Sequence, residues 1–405
     1  MHKVVLFDDR LGLTAPLTDL RASFDVRSGA FTAWQRWSQV TDCTLAGVIV
    51  PDSLERLAAQ YVPNRPVDPV FSADDRIVLV NGRCPLPSAT ILKLQPGEWL
   101  RDPEESHLAA ANLTVREAIA FLQGQGLPQG AAKSAETRVL ISRPWHVRSM
   151  RDACLAHDLA SFIDKPSQPT PQGVSRFGEH HVYVSKSAKV YPTVVLDAES
   201  GPIVIDDNAV IRPGAILIGP VYIGPNSTVL ERGLIRSNTA IGPWCKVSGE
   251  IGGTIFQGYA NKAHDGYLGD SWVGEWVNLG AGTTNSNLLN TYGEVIAKAS
   301  HDGRNERTGE TFLGSIIGDH VKTAICTRIM TGSVLATGGM FASTLPVSGS
   351  TQPFAWVTDS GEKRYRLDKF LEVMAAAQAR RNVTATEDYI DRIRVQFEAS
   401  ESAKR

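Results

Sequence analysis

Aliphatic side chains recur at every sixth position through the middle of this 405-residue chain. Eight successive positions of the series carry one: Ile205, Ile211, Leu217, Ile223, Val229, Ile235, Ile241 and Val247. A period of six matches neither the period of about 3.6 residues of a helix nor the two-residue alternation of a strand. Hexapeptide repeats are typical of a parallel β-helix. The pattern therefore predicts a three-sided solenoid, in which each aliphatic residue points inward and glycine or proline forms the corners.

The six-residue series begins near Val182 and is interrupted twice. It slips through residues 249–259, where we expect a loop or an irregular coil, and it resumes from Leu268. The second gap, residues 287–312, is rich in Asn, Asp, Gly and Arg and predicts an inserted loop.

The two ends of the chain have different patterns. Near the start, buried strands at residues 3–7 and 76–80 alternate with helical patterns, which predicts a small α/β domain. Near the end, two helices are expected, and the capping box Thr384-x-x-Glu387 starts the second of them. The chain thus divides into an α/β domain, a helix with a linker, the β-helix and a helical tail, at residues 1–145, 146–178, 179–345 and 346–405.

Composition narrows the class of protein. The net charge of −2 argues against a nucleic-acid partner bound through global charge. The five cysteines are scattered and form no C-x-x-C pair, as expected for reduced thiols in the cytoplasm. The first ten residues, MHKVVLFDDR, carry acids where a signal peptide has its apolar core, and no apolar stretch approaches the ~18 residues of a membrane span. We expect a cytoplasmic protein with no membrane partner.

One segment of the solenoid half, residues 261–290, concentrates residues that can carry chemistry. It reads NKAHDGYLGDSWVGEWVNLGAGTTNSNLLN. Histidine, with an unperturbed pKa of about 6.5, suits a base that takes a proton from an amine or hydroxyl, and here it is His264. Backbone N–H groups on the tight turn 280–282 suit stabilisation of an oxyanion. Together these features favour acyl transfer from a thioester, whereas Asn285 and Asn290 are expected to be structural.

This segment resembles the acyltransferase half of the bifunctional bacterial enzyme that acetylates glucosamine-1-phosphate and then uridylylates the product. In that family a histidine precedes Tyr-Leu-Gly-Asp, and a Gly-Ala-Gly-Thr turn follows an asparagine. The same order occurs here at His264, residues 267–270, Asn278 and residues 280–283. The whole chain more closely resembles a group of sugar nucleotidyltransferases described as similar to that enzyme. It shares with them the motifs Leu-Phe-Asp-Asp, Pro-Leu-Thr, Asn-Gly-Arg and Arg-Pro-Trp, at residues 6–9, 16–18, 81–83 and 143–145.

The resemblance implies a left-handed β-helix that uses acetyl-CoA or another acyl-CoA. It places the thioester at Ala281 beside Gly280 and Gly282, with His264 as the general base. The acceptor implied is an amino-sugar phosphate or nucleotide sugar for cell-envelope precursors, in a homotrimer with sites between neighbouring subunits. Tyr267, Asn278 and Asn287 match positions that hold the sugar or orient the histidine, and for the two asparagines a purely structural role is equally expected. The nearby cation Lys262 is a further candidate to hold the acceptor, although it lies at no clearly matching position. Upstream basic residues that hold the sugar phosphate in the family have no counterpart in the stretch KVSGEIGGTIFQG.

The N-terminal part supports an alternative function, a sugar-1-phosphate nucleotidyltransferase in which the β-helix serves assembly. Active members of that class open with a Gly-rich loop, but here the loop reads DDRLG. Arg83 stands where those enzymes have the Asp that binds Mg²⁺, and a guanidinium cannot bind a cation. We expect a domain that has lost metal-dependent catalysis, or that uses Asp8 or Asp9 with Mg²⁺. Arg10, Arg21 and Arg83 are candidate phosphate ligands, and equally candidate solvated arginines.

Two further classes fit less well. A γ-type carbonic anhydrase also uses a β-helix, but it needs three zinc-binding histidines, two of them closely spaced. Here His264, His301 and His320 are 37 and 19 residues apart. A non-catalytic scaffold would not need the residues around His264.

Overall fold

The computed structural model describes residues 2–62 and 66–402. The chain forms two compact units. The first comprises Met1–Gly12, Leu20–Val26 and Phe31–Ser142. The second comprises Leu13–Asp19, Arg27–Ala30 and Arg143–Arg405.

The first unit is a six-stranded mixed sheet with short helices. Its strands are β1 (His2–Phe7), β2 (Cys43–Ile49), β3 (Arg76–Asn81), β4 (Trp99–Arg101), β5 (Leu108–Thr114) and β6 (Ala132–Ser134). Its helices are α1 (Ala33–Gln39), α2 (Glu55–Tyr61), α3 (Ala89–Leu92) and α4 (Val115–Leu122). The strand order is β2-β1-β3-β5-β4-β6, and β1 runs parallel to both of its neighbours. The chain passes from β1 to β2 on one side and then to β3 on the opposite side of β1. The carboxyl ends of β1 and β3 therefore form a topological switch point, the place where α/β sheets bind ligands.

The second unit contains the predicted three-sided solenoid, built from three parallel sheets. The strands of the first face are Ser175–Phe177, Val195–Asp197, Ile216–Ile218, Leu234–Ile235, Glu250–Gly252 and Tyr267–Gly269. Those of the second face are Val182–Val184, Ile203–Ile205, Val221–Ile223, Thr239–Ile241, Ile255–Phe256, Trp272–Val273, Ser315–Ile317 and Ser333–Leu335. Those of the third face are Lys189–Val190, Val210–Ile211, Thr228–Val229, Lys246–Val247 and Asn261–Lys262. All eight aliphatic residues of the six-residue series are 0% exposed, so the predicted inward column is confirmed.

The last coils use shorter sheets. Thr284–Asn285 pairs with Arg328–Ile329, and Ile296–Ala297 pairs with Glu306–Arg307. A four-stranded sheet contains Lys322–Thr323, Met340–Ala342, Ala355–Thr358 and Gly361–Arg364. The last two of these strands had no counterpart in the sequence pattern.

Residues 249–259, where a loop or an irregular coil is expected, form an irregular coil, and the inserted loop is confirmed. Ile251 pairs with Ile235, and Phe256 pairs with Ile241, so the coil continues through the slip. The coil is shorter because corner residues are missing, and its strands keep their register. At residues 287–312 the chain leaves the solenoid and returns, and the Leu313 N–H donates to the carbonyl of Asn287 over 2.9 Å.

The helices of the second unit are α5 (His146–Ala160), α6 (Leu367–Ala379) and α7 (Glu387–Ser402). The start of α7 differs from the prediction, because the hydroxyl of Thr386, not of Thr384, accepts the N–H of Tyr389 over 3.3 Å. In the described part of the chain, no helix has the length and apolar character needed to cross a membrane.

Candidate functional site

His264 is exposed at the corner where the third face of the solenoid passes to the first. The turn 280–283 stacks on this corner in the next coil. A Cβ atom at Gly266, where φ is +104°, would overlap the carbonyl oxygen of Thr283. The structure therefore brings the predicted base and the predicted Gly-Ala-Gly turn into consecutive coils at one corner.

Lys262 fixes this corner from inside the solenoid. Its side chain is 1% exposed, and its Nζ donates to the carbonyls of Ser248, His264 and Asp265 over 3.3, 2.9 and 3.0 Å. Burial lowers the pKa of Lys262 to about 8, while the three carbonyl acceptors stabilise the protonated form. Lys262 is one of the residues that the sequence suggests for holding the sugar acceptor. In the structure it lies beneath the backbone of His264, and its Nζ donates to the carbonyls of this corner.

Among the residues that the structure describes, two backbone amides of the turn above His264 meet no acceptor, those of Ala281 and Gly282. A Cβ atom at Gly280 would lie 2.5 Å from the carbonyl oxygen of Ala324, and Gly282 has a φ of +72°, so coil stacking explains both glycines. The Ala281 carbonyl accepts the N–H of Cys326 over 2.7 Å. The N–H of Ala281, by contrast, meets no acceptor among the residues that the structure describes. Like the Gly282 N–H, it can donate to a ligand.

Tyr267 and Asn287 meet on the first-face side of the corner. The Asn287 amide donates to the Tyr267 hydroxyl over 3.0 Å and to Asp270 over 2.8 Å. Asp270 also pairs with Arg148 and Arg151 of α5, at 3.4 and 2.8 Å. Burial, together with the negative charge of Asp270, raises the pKa of Tyr267, which keeps the hydroxyl neutral. Sequence reasoning missed the α5 arginines, although the Asp of the Tyr-Leu-Gly-Asp motif needed a cationic partner.

Asn278 lies on the third-face side of the corner and is exposed. It forms bridges with Asn261 in the coil below and with Lys322 in the coil above. These residues form one wall of a cleft of about 250 Å³, and α6 forms the other. Asn285, by contrast, is buried and bonds to Gly269, as expected for a structural residue. Asn278 therefore faces a cavity, and Asn285 does not.

In the first unit, the switch point is occupied by a buried ion pair. Arg83 is 1% exposed and meets Asp9 through two contacts, Nε–Oδ1 at 2.9 Å and Nη2–Oδ2 at 2.5 Å. Asn81 donates to the same carboxylate over 2.7 Å. Among the three candidate arginines, Arg21 is also buried and only Arg10 is exposed. Asp9 is thus committed to a guanidinium.

Residues 4–165 match the family model described as sugar nucleotidyl transferase, which confirms the resemblance noted for that part of the sequence. The chain is also similar to a bifunctional sugar-1-phosphate nucleotidylyltransferase/acetyltransferase from Sulfurisphaera tokodaii, at 34% identity over 138 residues, covering 33% of each chain. It is similar to the bifunctional protein GlmU from Xylella fastidiosa at 26% identity over 226 residues, covering 51% of this chain and 43% of the relative. The chain spans about a third of the length of the first curated relatives it matches.

Among solved structures, a UDP-N-acetylglucosamine acyltransferase from Francisella novicida aligns with 48% of this chain and 71% of its own. The identity is 14% and the TM-score is 0.20, which supports no inference about function.

Proposed function

We propose that this protein transfers an acyl group from acyl-CoA, with acetyl-CoA as the first candidate, to an amino-sugar phosphate or a nucleotide sugar. The observation that carries the proposal is the corner where the exposed His264 lies under a turn with an uncommitted Ala281 N–H. Acyl transfer needs a base and an oxyanion donor in this kind of proximity. The name of the Sulfurisphaera tokodaii relative, which includes acetyltransferase, supports the same reaction class.

Each residue has a defined part in the proposed reaction. Acyl-CoA supplies the activated acyl group, and the small side chains of the turn fit a thioester close to the backbone. His264 takes a proton from the amine or hydroxyl of the acceptor as its nitrogen or oxygen bonds to the acyl carbon. The C–S bond of the thioester then breaks, and coenzyme A takes up this proton and leaves as the free thiol. The Ala281 N–H donates to the carbonyl oxygen as negative charge develops on it. Tyr267 and Asn287, fixed by their mutual hydrogen bond, hold the acceptor beside the imidazole.

The test is an assay of free thiol with acetyl-CoA and glucosamine-1-phosphate. We expect turnover by the wild-type chain and a loss of about 10²–10⁴-fold in His264→Ala, the usual contribution of a general base. The control is His180→Ala, which removes an exposed histidine near the start of the solenoid. Equal rates for wild type and His264→Ala would rule out the proposed base.

The match of residues 4–165 favours a second candidate, a sugar-1-phosphate nucleotidyltransferase. The structure argues against Mg²⁺ chemistry at the switch point. The carboxylate of Asp9 is already paired with Arg83, and a guanidinium repels a cation. In the described residues, no group of three or more His, Cys, Asp or Glu side chains could hold a metal ion. The test is pyrophosphate release from UTP, dTTP, GTP or CTP with sugar-1-phosphates and Mg²⁺. Robust turnover would contradict this interpretation of Arg83.

We also infer a homotrimer with the acyl sites in clefts between neighbours, because flat solenoid faces can pack around a threefold axis. The solution mass is expected to be three times that of the chain. A monomer would exclude sites shared between subunits.

A further inference from the structure

Three cationic side chains line the cleft between α6 and the third-face side of the histidine corner. Lys322 comes from the solenoid, and Arg380 and Arg381 come from the end of α6. Asn261 and Asn278 complete the polar lining, and Arg381 donates to Asn261 over 2.9 Å. Among the described residues, no carboxylate lines this cleft or forms an ion pair with any of the three cations. The cleft is therefore a local concentration of uncompensated positive charge.

The end of a helix accounts for part of this charge, but not for all of it. Arginines at a helix C-terminus are favourable because they interact with the helix dipole. Lys322 lies in a solenoid strand, and within residues 2–62 and 66–402 its Nζ has a single hydrogen-bond partner, the backbone carbonyl of His320 at 3.3 Å. Burial lowers the pKa of Lys322 to about 8, the expected effect of enclosing an ammonium group without an anion. A bound anion would offset the free-energy cost of burying the charged ammonium group.

We propose that this cleft binds the phosphate group of the acyltransferase's ligand, with Lys322, Arg380 and Arg381 as the cations that hold it. This inference rests on the proposed function and names the chemistry that the site recognises. The ligand class is a phosphate monoester or diphosphate, which is present both on the sugar acceptor and on coenzyme A. The cleft of about 250 Å³ is smaller than the about 300–1,000 Å³ typical of drug-sized ligands, so it fits a phosphate with a small attached group.

The position of the cleft supports a link to the acyl site. Asn278 lines the cleft, and three residues further along the chain is Ala281, whose N–H is uncommitted. The same corner therefore has an anion-binding cleft on its third-face side and the Tyr267–Asn287 pair on its first-face side. A phosphate held by Lys322 would anchor one end of a ligand whose other end reaches the imidazole of His264.

The experiment is calorimetric titration of the full chain with glucosamine-1-phosphate, coenzyme A and UDP-N-acetylglucosamine, using glucosamine and pantetheine as controls that lack phosphate. We expect at least one phosphorylated ligand to bind, and glucosamine-1-phosphate or coenzyme A to bind more tightly than its phosphate-free control. Lys322→Met and the exposed-site variant Arg380→Gln should each weaken that ligand about tenfold or more, as expected for loss of a charge-assisted contact. Lys322→Arg should retain most of the affinity. The control Lys369→Met changes an exposed lysine at the other end of α6 and should have no effect.

The ligand whose affinity falls in Lys322→Met and Arg380→Gln shows whether the phosphate belongs to the sugar acceptor or to coenzyme A. Binding is also measured with His264→Ala, which should bind normally even though it is expected to be inactive. Phosphate-dependent binding without any acyl transfer by the wild type would support the cleft and refute the acyltransferase. Unchanged affinity in both Lys322→Met and Arg380→Gln would overturn the proposal, as would the absence of binding by every phosphorylated ligand.

Discussion

The buried pair of Asp9 and Arg83 makes a sharp prediction about the first unit. Replacing Arg83 with Met leaves a carboxylate whose side chain is 8% exposed without its cation. Breaking a buried ion pair from one side typically costs about 3–5 kcal/mol. Asn81 would still donate to Asp9 over 2.7 Å, so we expect the lower end of that range, about 3 kcal/mol.

The double variant separates the ion pair from the rest of the site. Asp9→Asn combined with Arg83→Met removes both charges, and such replacements are often neutral when the shape is kept. We therefore expect the double variant to cost less than the two single changes added together, by about 1–3 kcal/mol. Arg116→Met is the control, since its partner is Asp74 in a pair that is 74% and 91% exposed. It should change stability by less than about 1 kcal/mol.

The measurement is hydrogen exchange in the full chain as a function of urea, followed on peptides from β1 and β3. These strands carry the two partners at their carboxyl ends, so their opening free energy reports the pair directly. Two results would contradict this prediction. One is an opening free energy of Arg83→Met within about 1 kcal/mol of the wild-type value, and the other is a double variant whose loss equals the sum of the two single losses.

Three further predictions concern the solenoid. Lys262→Met should lower the unfolding free energy by about 1–3 kcal/mol, because buried carbonyls lose their donor. The exposed-lysine control Lys246→Met should stay within about 0.5 kcal/mol in urea titrations. Lys322 has a folded-state pKa of about 8, below its value in the unfolded chain, so the unfolded chain binds more protons above that pH. Stability should therefore rise above about pH 8, and the rise of the urea midpoint should be smaller in Lys322→Met, where Lys262 still has a pKa of about 8. Gly266→Ala should reduce acyl transfer and lower the melting temperature more than Gly309→Ala, since both have positive φ but only Gly266 meets a neighbouring coil.

The solenoid could be predicted because its core uses one side chain per strand. Each inward position needs an aliphatic residue, and these positions recur at a constant spacing wherever the corners have constant length. Ile205, Ile223 and Ile241 occupy equivalent positions of the second face, with 0% exposure each. The inserted loop was visible for the same reason, since it interrupts this series with polar residues.

The sequence indicated an irregularity at residues 249–259 but not the pairing of its strands, because spacing along the chain does not determine which strands pair. Pairing between coils is set face by face, so a corner can lose residues while Ile251 still pairs with Ile235. Lys262 illustrates the consequence. It pairs with Val247 on the third face and therefore occupies an inward position of the aliphatic column. A constant six-residue period would place Lys262 at the surface, as a cation near the histidine. The shortened coil instead places it in the core, where a buried lysine needs hydrogen-bond acceptors.

The cations of the α6 cleft could not be found from the sequence, because Lys322 and Arg381 are brought together only when α6 packs beside the solenoid. The stretch before His264 lacks the basic residues that the resemblance leads one to expect, so the sequence offered no partner for the phosphate of the proposed acceptor. The structure brings uncompensated cations to the same corner from a later coil and from the tail. In the proposed site, the charge that a phosphate requires would thus come from residues in another part of the chain. Motif alignment detects the loss of such residues, but it does not detect their replacement.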